Sequence, residues 1–433
     1  MIIQPPNTNL IINADCLTAL KELPENSVDS IVTDPPYGLS FMGKKWDYDV
    51  PQVDLWKECM RVLKHGGFLL SFAGTRTYHR MAVNIEDAGF EIRDMISWLY
   101  GSGFPKSLNI GKQVDKMQGN EREDLGESIR LGDKKAYPRN ENVDNQSTYK
   151  LGYKNNKRVT KGNSPYEGWG TALKPACEPI VVARKPLSEK NVALNCLKWG
   201  TGGINIDGCR VGYGNETDSR IGTDAKAGGS EESLFGGYSN VKDKNIQMYK
   251  QDGRFPANII LDEEAGKILD EQSGISKSTK RNEGQDYNVV SSNINIGGGN
   301  KNYEYTDKGG ASRFFYCAKA GKSERNAGCE DMSEKVDCDR NPECYSADVP
   351  FNRSSIPTKN NHPTVKPLKL MQYLVRLVTP KGGVCLDPFL GSGTTAIACI
   401  KEDMNYIGIE REKDYVKIAN ARINAYSHSK ASK

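Results

Sequence analysis

Two short stretches of this 433-residue chain carry residue types whose spacing could do chemistry. The first, Asp34-Pro35-Pro36-Tyr37, follows the apolar run Val28 to Thr33. It therefore stands at the carboxyl end of an expected strand, where ligands bind in open α/β sheets. An aromatic amine is a poor nucleophile because its lone pair is delocalised into the ring. Asp34 and the carbonyl of Pro35 can both accept hydrogen bonds from such an amine, favouring a tetrahedral nitrogen whose lone pair can point at an electrophilic methyl. Two prolines stiffen the turn and hold that carbonyl outward. Tyr37 offers a flat face to a base, a stack worth roughly 1–3 kcal/mol. The plain alternative is a rigid strand-ending turn with a core tyrosine.

The second stretch is Asp387-Pro388-Phe389-Leu390-Gly391-Ser392-Gly393-Thr394-Thr395, which follows an expected strand and opens an expected helix. Glycines there let the backbone approach a ligand, and the positive helix end suits a carboxylate as well as a phosphate. Glu410 closes the next strand, where an acid commonly grips ribose hydroxyls. The pattern is G-x-G without the third glycine, so a nicotinamide dinucleotide is not favoured over S-adenosylmethionine. A glycine turn used purely for packing is the alternative.

The elements that must position these stretches fall in three zones. Residues 9–107 alternate strands and helices: Leu10 to Ile12, a helix from Cys16 to Leu23, Val28 to Thr33, a helix from Val53 to Leu63 stopped by Gly66-Gly67, then Gly67 to Phe72. This alternation predicts a parallel α/β sheet. Residues 362–426 repeat it, with a helix over Lys366 to Val378, a strand Val384 to Leu386, a helix Thr394 to Lys401, a strand Asn405 to Ile409 and a helix Tyr415 to Tyr426. Each zone is too short for a doubly wound domain, so together they form one core. The middle zone is rich in Gly, Asn, Lys, Ser and Tyr, and residues 108–168 and 211–250 read as loops. Two islands, Glu178 to Ala183 and Arg313 to Ala318, read as strands that return the chain to the sheet.

Composition excludes some classes. The net charge of +4, from 59 basic and 55 acidic residues, is too mild to imply nucleic-acid binding by itself, so any basic face must be local. Residues 106–165 hold 13 basic and 8 acidic side chains, with Tyr137, Tyr149, Tyr153, Tyr166 and Trp169 interleaved or close by. No apolar stretch approaches the roughly 18 residues of a membrane span, and the N-terminus lacks a signal-peptide pattern. A reduced, soluble, cytoplasmic protein is the expectation. Cys317, Cys329, Cys338 and Cys344 lack the paired spacing of structural zinc sites, so no metal is expected.

These residues resemble the exocyclic-amine DNA methyltransferases of restriction–modification systems and phages. Asp34-Pro35-Pro36-Tyr37 looks like the family's catalytic motif and Asp387 to Gly393 like its cofactor motif. His362-Pro363-Thr364-Val365-Lys366-Pro367 looks like the segment shaping the methionine pocket of the cofactor. The order, catalytic motif first and cofactor motif last, resembles the family's beta arrangement. The resemblance implies a circularly permuted Rossmann-like α/β sheet that uses S-adenosylmethionine, with a large inserted target-recognition region. Residues 1–107 would be the catalytic half, 108–350 the insertion and 351–433 the cofactor half.

By the same resemblance, Asp34, Pro35, Pro36 and Tyr37 would hold the target amine and base, with Phe104 as a second stacking aromatic. Asp15, Thr364, Asp387, Pro388, Phe389, Gly391, Gly393, Thr394 and Glu410 would bind the cofactor, Glu410 through the ribose and Asp15 near the adenine. An aspartate before Pro-Pro-Tyr implies N6-adenine in a flipped-out base of double-stranded DNA, N4-cytosine being the alternative and a catalytically inactive DNA-binding relative a further one. A bacterial or phage-infected cell is the implied setting, with a companion restriction endonuclease and a homodimer as the associations such relatives form.

Overall fold

The computed structural model describes residues 8–39, 47–101, 103, 107–127, 158–212, 253–277, 308–318, 322–330, 332, 359–360, 362 and 364–431. The chain opens with β1 (Leu10–Ile12), α1 (Cys16–Glu22), β2 (Val28–Thr33), α2 (Val53–Val62), β3 (Leu63–Phe72), α3 (Tyr78–Asp87) and β4 (Glu91–Leu99). After α4 (Ile110–Gln118), β5 (Glu123–Glu127) and β6 (Arg158–Lys161) come β7 (Cys177–Arg184), α5 (Val192–Trp199), β8 (Ile259–Asp262) and α6 (Glu263–Ser273). The ribbon strands β9 (Ser276–Lys277) and β10 (Lys308–Gly309) precede β11 (Tyr316–Ala318), α7 (Leu368–Val378), β12 (Val384–Asp387), α8 (Thr394–Lys401), β13 (Asn405–Ile409) and α9 (Lys413–Ala431).

Among the described residues, nine strands make one sheet in the order β1-β13-β12-β2-β3-β7-β4-β8-β11. The strands from the end of the chain thus lie between β1 and β2, which gives the sheet its permuted, Rossmann-like connectivity. Along each central strand, side chains alternate between two cores, as the pleat requires. Phe68, Leu70 and Phe72 of β3, with Ile180 and Val182 of β7, pack under α7, α8 and α9. Leu69, Val181 and Ala183 face the opposite core, formed with α1, α2 and α3. Helix layers therefore cover both faces, and the strands between them read as continuous apolar runs.

The sheet departs from the expected all-parallel arrangement at β7, which runs antiparallel to both β3 and β4. The expected strand from Arg313 to Ala318 is shortened to β11. Ala311–Phe314 form a 3-10 turn instead, held by Arg313 Nη1 donating to the carbonyls of Gly309 and Gly310 at 2.7 and 2.6 Å.

The chain divides into two compact units, and residues 103–176 belong to the second. In that second unit the loops expected over 108–168 contain regular structure. Helix α4 is capped by Asn109, whose side chain accepts from Lys112 N, and ends on Gly119 at φ 72°; β5 and β6 pair antiparallel. The buried face of α4 is not an apolar stripe. It carries Asp115, bound to Arg122, which in turn bonds Glu167 at 2.8 Å. Residues 128–157 and 213–252 lie outside the described residues, as do Phe104, Cys338 and Cys344.

Candidate active site

Four neighbouring parallel strands end side by side at one edge of the sheet. β1 leads to Asp15, β13 to Glu410, β12 ends at Asp387 and β2 leads to Asp34. Adjacent parallel strands bring their carboxyl ends together whatever their separation in sequence. Here that joins Asp34 and Asp387, 353 positions apart in the chain. One cavity opens at this edge. It is lined by Asp15, Asp34, Pro36, Thr364, Asp387, Pro388, Phe389, Gly391, Thr394 and Glu410 among others. Of the other residues expected at the site, Pro35 is buried. Tyr37 stands just behind Asp34, its hydroxyl donating to Asp34 Oδ1 at 2.6 Å. Gly393 is buried under α9.

The glycine turn is shaped by packing as well as by access. Gly391 has φ +55° and Gly393 φ +82°, the left-handed region that side chains disfavour. A Cβ on Gly391 would stand 2.6 Å from His362 Nε2, and one on Gly393 3.1 Å from Ala419 Cβ. Asp387 braces the turn from below. Its carboxylate accepts from Thr33 Oγ1 at 2.7 Å, Thr395 Oγ1 at 2.6 Å and Phe389 N at 3.0 Å. Burial pushes its pKa up to about 6 against the pull of those donors. Glu410 accepts from Gly391 N at 2.9 Å and Glu412 N at 2.7 Å, tying β13 to the turn. Buried Arg422 of α9 lies behind it, donating to Ser392 O at 2.6 Å and Thr394 Oγ1 at 3.1 Å. A guanidinium there adds positive charge to the N-terminus of α8.

His362 packs edge-on to Tyr415, with ring centroids 4.5 Å apart. Burial pulls its imidazole down to about 4 from the ordinary 6.5. A histidine with a depressed folded value contributes stability that is present above pH 6.5 and lost as pH falls towards 4. The melting temperature of the protein should therefore fall more steeply between pH 6.5 and 4 than that of H362Q. Parallel curves would remove His362 from the acid response.

At the catalytic end, the loop after β2 is locked from two sides. Buried Asp47 accepts from the backbone N–H groups of Tyr37, Gly38 and Leu39 at 2.6, 3.0 and 3.2 Å. Thr77 Oγ1 donates to Tyr37 O at 2.6 Å. Two charged residues that sequence reasoning did not assign meet Asp34 here. Lys366 Nζ donates to Asp34 Oδ2 at 2.7 Å and Tyr37 Oη at 3.1 Å, and pairs with Glu178 Oε2 at 3.2 Å. Burial penalises the ammonium, yet the attraction of Asp34 and Glu178 outweighs it and raises its pKa. Glu178 reaches this edge because β7 is antiparallel: its first residues lie beside the last of β4, Glu178 opposite Trp98. Lys366 was in view as part of the His362–Pro367 segment. A glutamate opening the apolar run Ile180 to Ala183 was the only available signal for Glu178.

Cavity-lining charges are five carboxylates, on Asp15, Asp34, Asp387, Glu410 and Glu412, against Lys366 and Arg411. A negative lining suits a cationic ligand, while the end of the cavity at α8 suits a carboxylate. Among the described residues no helix is long and apolar enough to cross a membrane.

The chain is 42% identical over 72 residues to the Type II methyltransferase M.BglI of Bacillus subtilis, covering 17% of this chain and 21% of that protein. It is 46% identical over 65 residues to the Type II methyltransferase M2.MboI of Moraxella bovis, covering 15% and 24%. The matched segment thus spans about a fifth to a quarter of the length of these relatives. Among solved structures, M1.HpyAVI is similar with a TM-score of 0.36 at 15% identity, over 96% of this chain and 98% of that one. The cytosine-N4-specific PvuII DNA methyltransferase gives 0.42 at 14%, over 98% and 92%. A family model described as DNA methylase, for N6 and N4 enzymes, matches residues 28–191 and 225–421, and the chain belongs to that family.

Proposed function

We propose that this protein transfers a methyl group from S-adenosylmethionine to the exocyclic amine of adenine in DNA. The observation that carries the reading is the shared cavity: Asp34 and Pro36, from the chain's first zone, line the same space as Asp387 to Ser392, Thr394, Thr395 and Glu410, from its last. The lining fits the cofactor. Glu410 and Asp15 would take the ribose and the adenine end, Phe389 the adenine face, and Thr364 with the N-terminus of α8 the methionine carboxylate. The acidic lining complements the sulfonium. Bound there, the cofactor supplies an electrophilic methyl.

The chain's own residues do the rest. Asp34 accepts hydrogen bonds from the amine and orients its lone pair, and the Tyr37 ring stacks on the base. The loop bonds from Asp47 and Thr77 hold both in place before substrate arrives, so little reorganisation is needed. A base inside a duplex cannot reach this depth, so it must be flipped out, at a cost of a few kcal/mol. Target recognition is assigned to the insertion between the two halves of the core, in which Trp169 and Tyr166 are exposed. The Type II names of the relatives support a restriction–modification role in a bacterial cytoplasm, beside a companion endonuclease.

Incubation of the pure protein with tritiated S-adenosylmethionine and unmethylated DNA, followed by digestion to nucleosides, tests the assignment. Label is expected in N6-methyldeoxyadenosine. Label in N4-methyldeoxycytidine would overturn the base, and unlabelled DNA would overturn the activity.

A further inference from the structure

Methylating an amine leaves a proton to remove. The nitrogen that forms a bond to carbon keeps both its hydrogens and becomes cationic; one N–H bond must break, its electron pair returning to nitrogen. In the reading above Asp34 is the nearest base, its side chain 18% exposed against 23% for Glu178. Tyr37 Oη stands between two carboxylates, 2.6 Å from Asp34 Oδ1 and 3.2 Å from Glu178 Oε2. Glu178 is thus one hydroxyl away from the acid that would meet the amine.

We propose that the Tyr37 hydroxyl and Glu178 form the proton exit of the site, an inference that rests on the methyl-transfer reading. Asp34 takes the proton from the methylated amine. Tyr37 Oη accepts it from Asp34 while passing its own proton to Glu178, and Glu178 releases it to water. Each hop breaks one O–H bond and makes another, so Tyr37 ends as it began and both carboxylates are regenerated. Lys366 stays an ammonium throughout, its bonds to Asp34 and Glu178 keeping the two acids facing one hydroxyl.

The surroundings leave this route distinct. Burial first, then the two carboxylates, hold Tyr37 well above its ordinary pKa, so it remains a neutral hydroxyl able to donate and accept. Among the described residues, two further titratable groups feel the charge of Glu178: Tyr100, after β4, and Cys177, its neighbour on β7. Burial and the charge of Glu178 push both up, Tyr100 to about 12. Neither competes for the proton at neutral pH.

The test compares the protein with E178Q, Y37F and the double variant in steady-state methylation of DNA, in H2O and D2O, with the dissociation constant for S-adenosylmethionine measured alongside. Each single variant is expected to lower kcat about tenfold or more. The double variant should be no slower than the slower single one, as for residues acting in series. The solvent isotope effect on kcat should rise in all three, with cofactor affinity within about twofold. A wild-type rate in E178Q, losses that multiply in the double variant, or an unchanged isotope effect would overturn the proposal. A wild-type protein that transfers no methyl would overturn the underlying reading and the proposal with it.

Discussion

Asp34→Ala is expected to lower the rate of methyl transfer by about a thousandfold while leaving affinity for S-adenosylmethionine within a few-fold. The asymmetry follows from position. Asp34 lines the cavity from the end of β2, whereas Glu410, Asp15, Thr364 and the start of α8, which we propose take the ribose and carboxylate ends of the cofactor, line it from other elements. Removing a preorganised acceptor for the reacting amine costs about 10²–10⁴ in rate, because it acts in the transition state more than in binding. Single-turnover methylation with enzyme in excess, together with cofactor titration, separates the two quantities. Asp34→Asn keeps the shape and one acceptor oxygen but loses the charge, and should fall between. An alanine variant that methylates at the wild-type rate would remove Asp34 from the chemistry.

The second large effect is expected in stability as well as rate. Lys366→Met leaves Asp34 and Glu178 facing each other without the ammonium that both share. Lys366 is 9% exposed, and its partners 18% and 23%. Removing one member of a fully buried pair costs about 3–5 kcal/mol. Partial access of water to the carboxylates reduces this, so a loss of roughly 2 kcal/mol is expected. The folded state raises the lysine pKa above its ordinary 10.5. Its contribution is therefore complete below that value and is lost only as pH rises through the higher folded one. Urea unfolding of both proteins at pH 8 should show the full difference. Equal midpoints would mean that the cluster contributes nothing to stability. The rate of methylation should also fall, since Asp34 would lose the contact that fixes one of its oxygens.

Much of this arrangement is legible in the residues themselves. Strands such as Val28 to Thr33 and Asn405 to Ile409, and helices such as Thr394 to Lys401, follow from apolar runs, their periodicity and the glycines that bound them. The strand ends follow too, and with them Asp34, Asp387 and Glu410, because acids that terminate buried strands stand where ligands bind. Strand direction is different. Nothing in Glu178 to Ala183 says that the strand runs antiparallel between β3 and β4, and that direction alone brings Glu178 to the catalytic edge. The pairing of Lys366 is hidden for a related reason: its partners are 332 and 188 residues away in the chain, a separation that no local pattern bridges. Helix α4 escaped because its inner face is an ion cluster around Asp115 and Arg122 rather than an apolar stripe. For Gly391 and Gly393 the sequence leaves ligand access and packing both open, and the structure shows the packing, with His362 and Ala419 against them.

The convergence of the two ends of the chain on one ligand can be measured directly by carbodiimide labelling of carboxylates with and without saturating S-adenosylmethionine, read by peptide mass spectrometry. Binding should slow the labelling of Asp15, Asp34, Glu410 and Glu412 together, since all four line the cavity, at the ends of β1, β2 and β13. Protection confined to Asp15, Glu410 and Glu412, with Asp34 labelled as in the free protein, would mean that the cofactor does not face Asp34, and the account would fail.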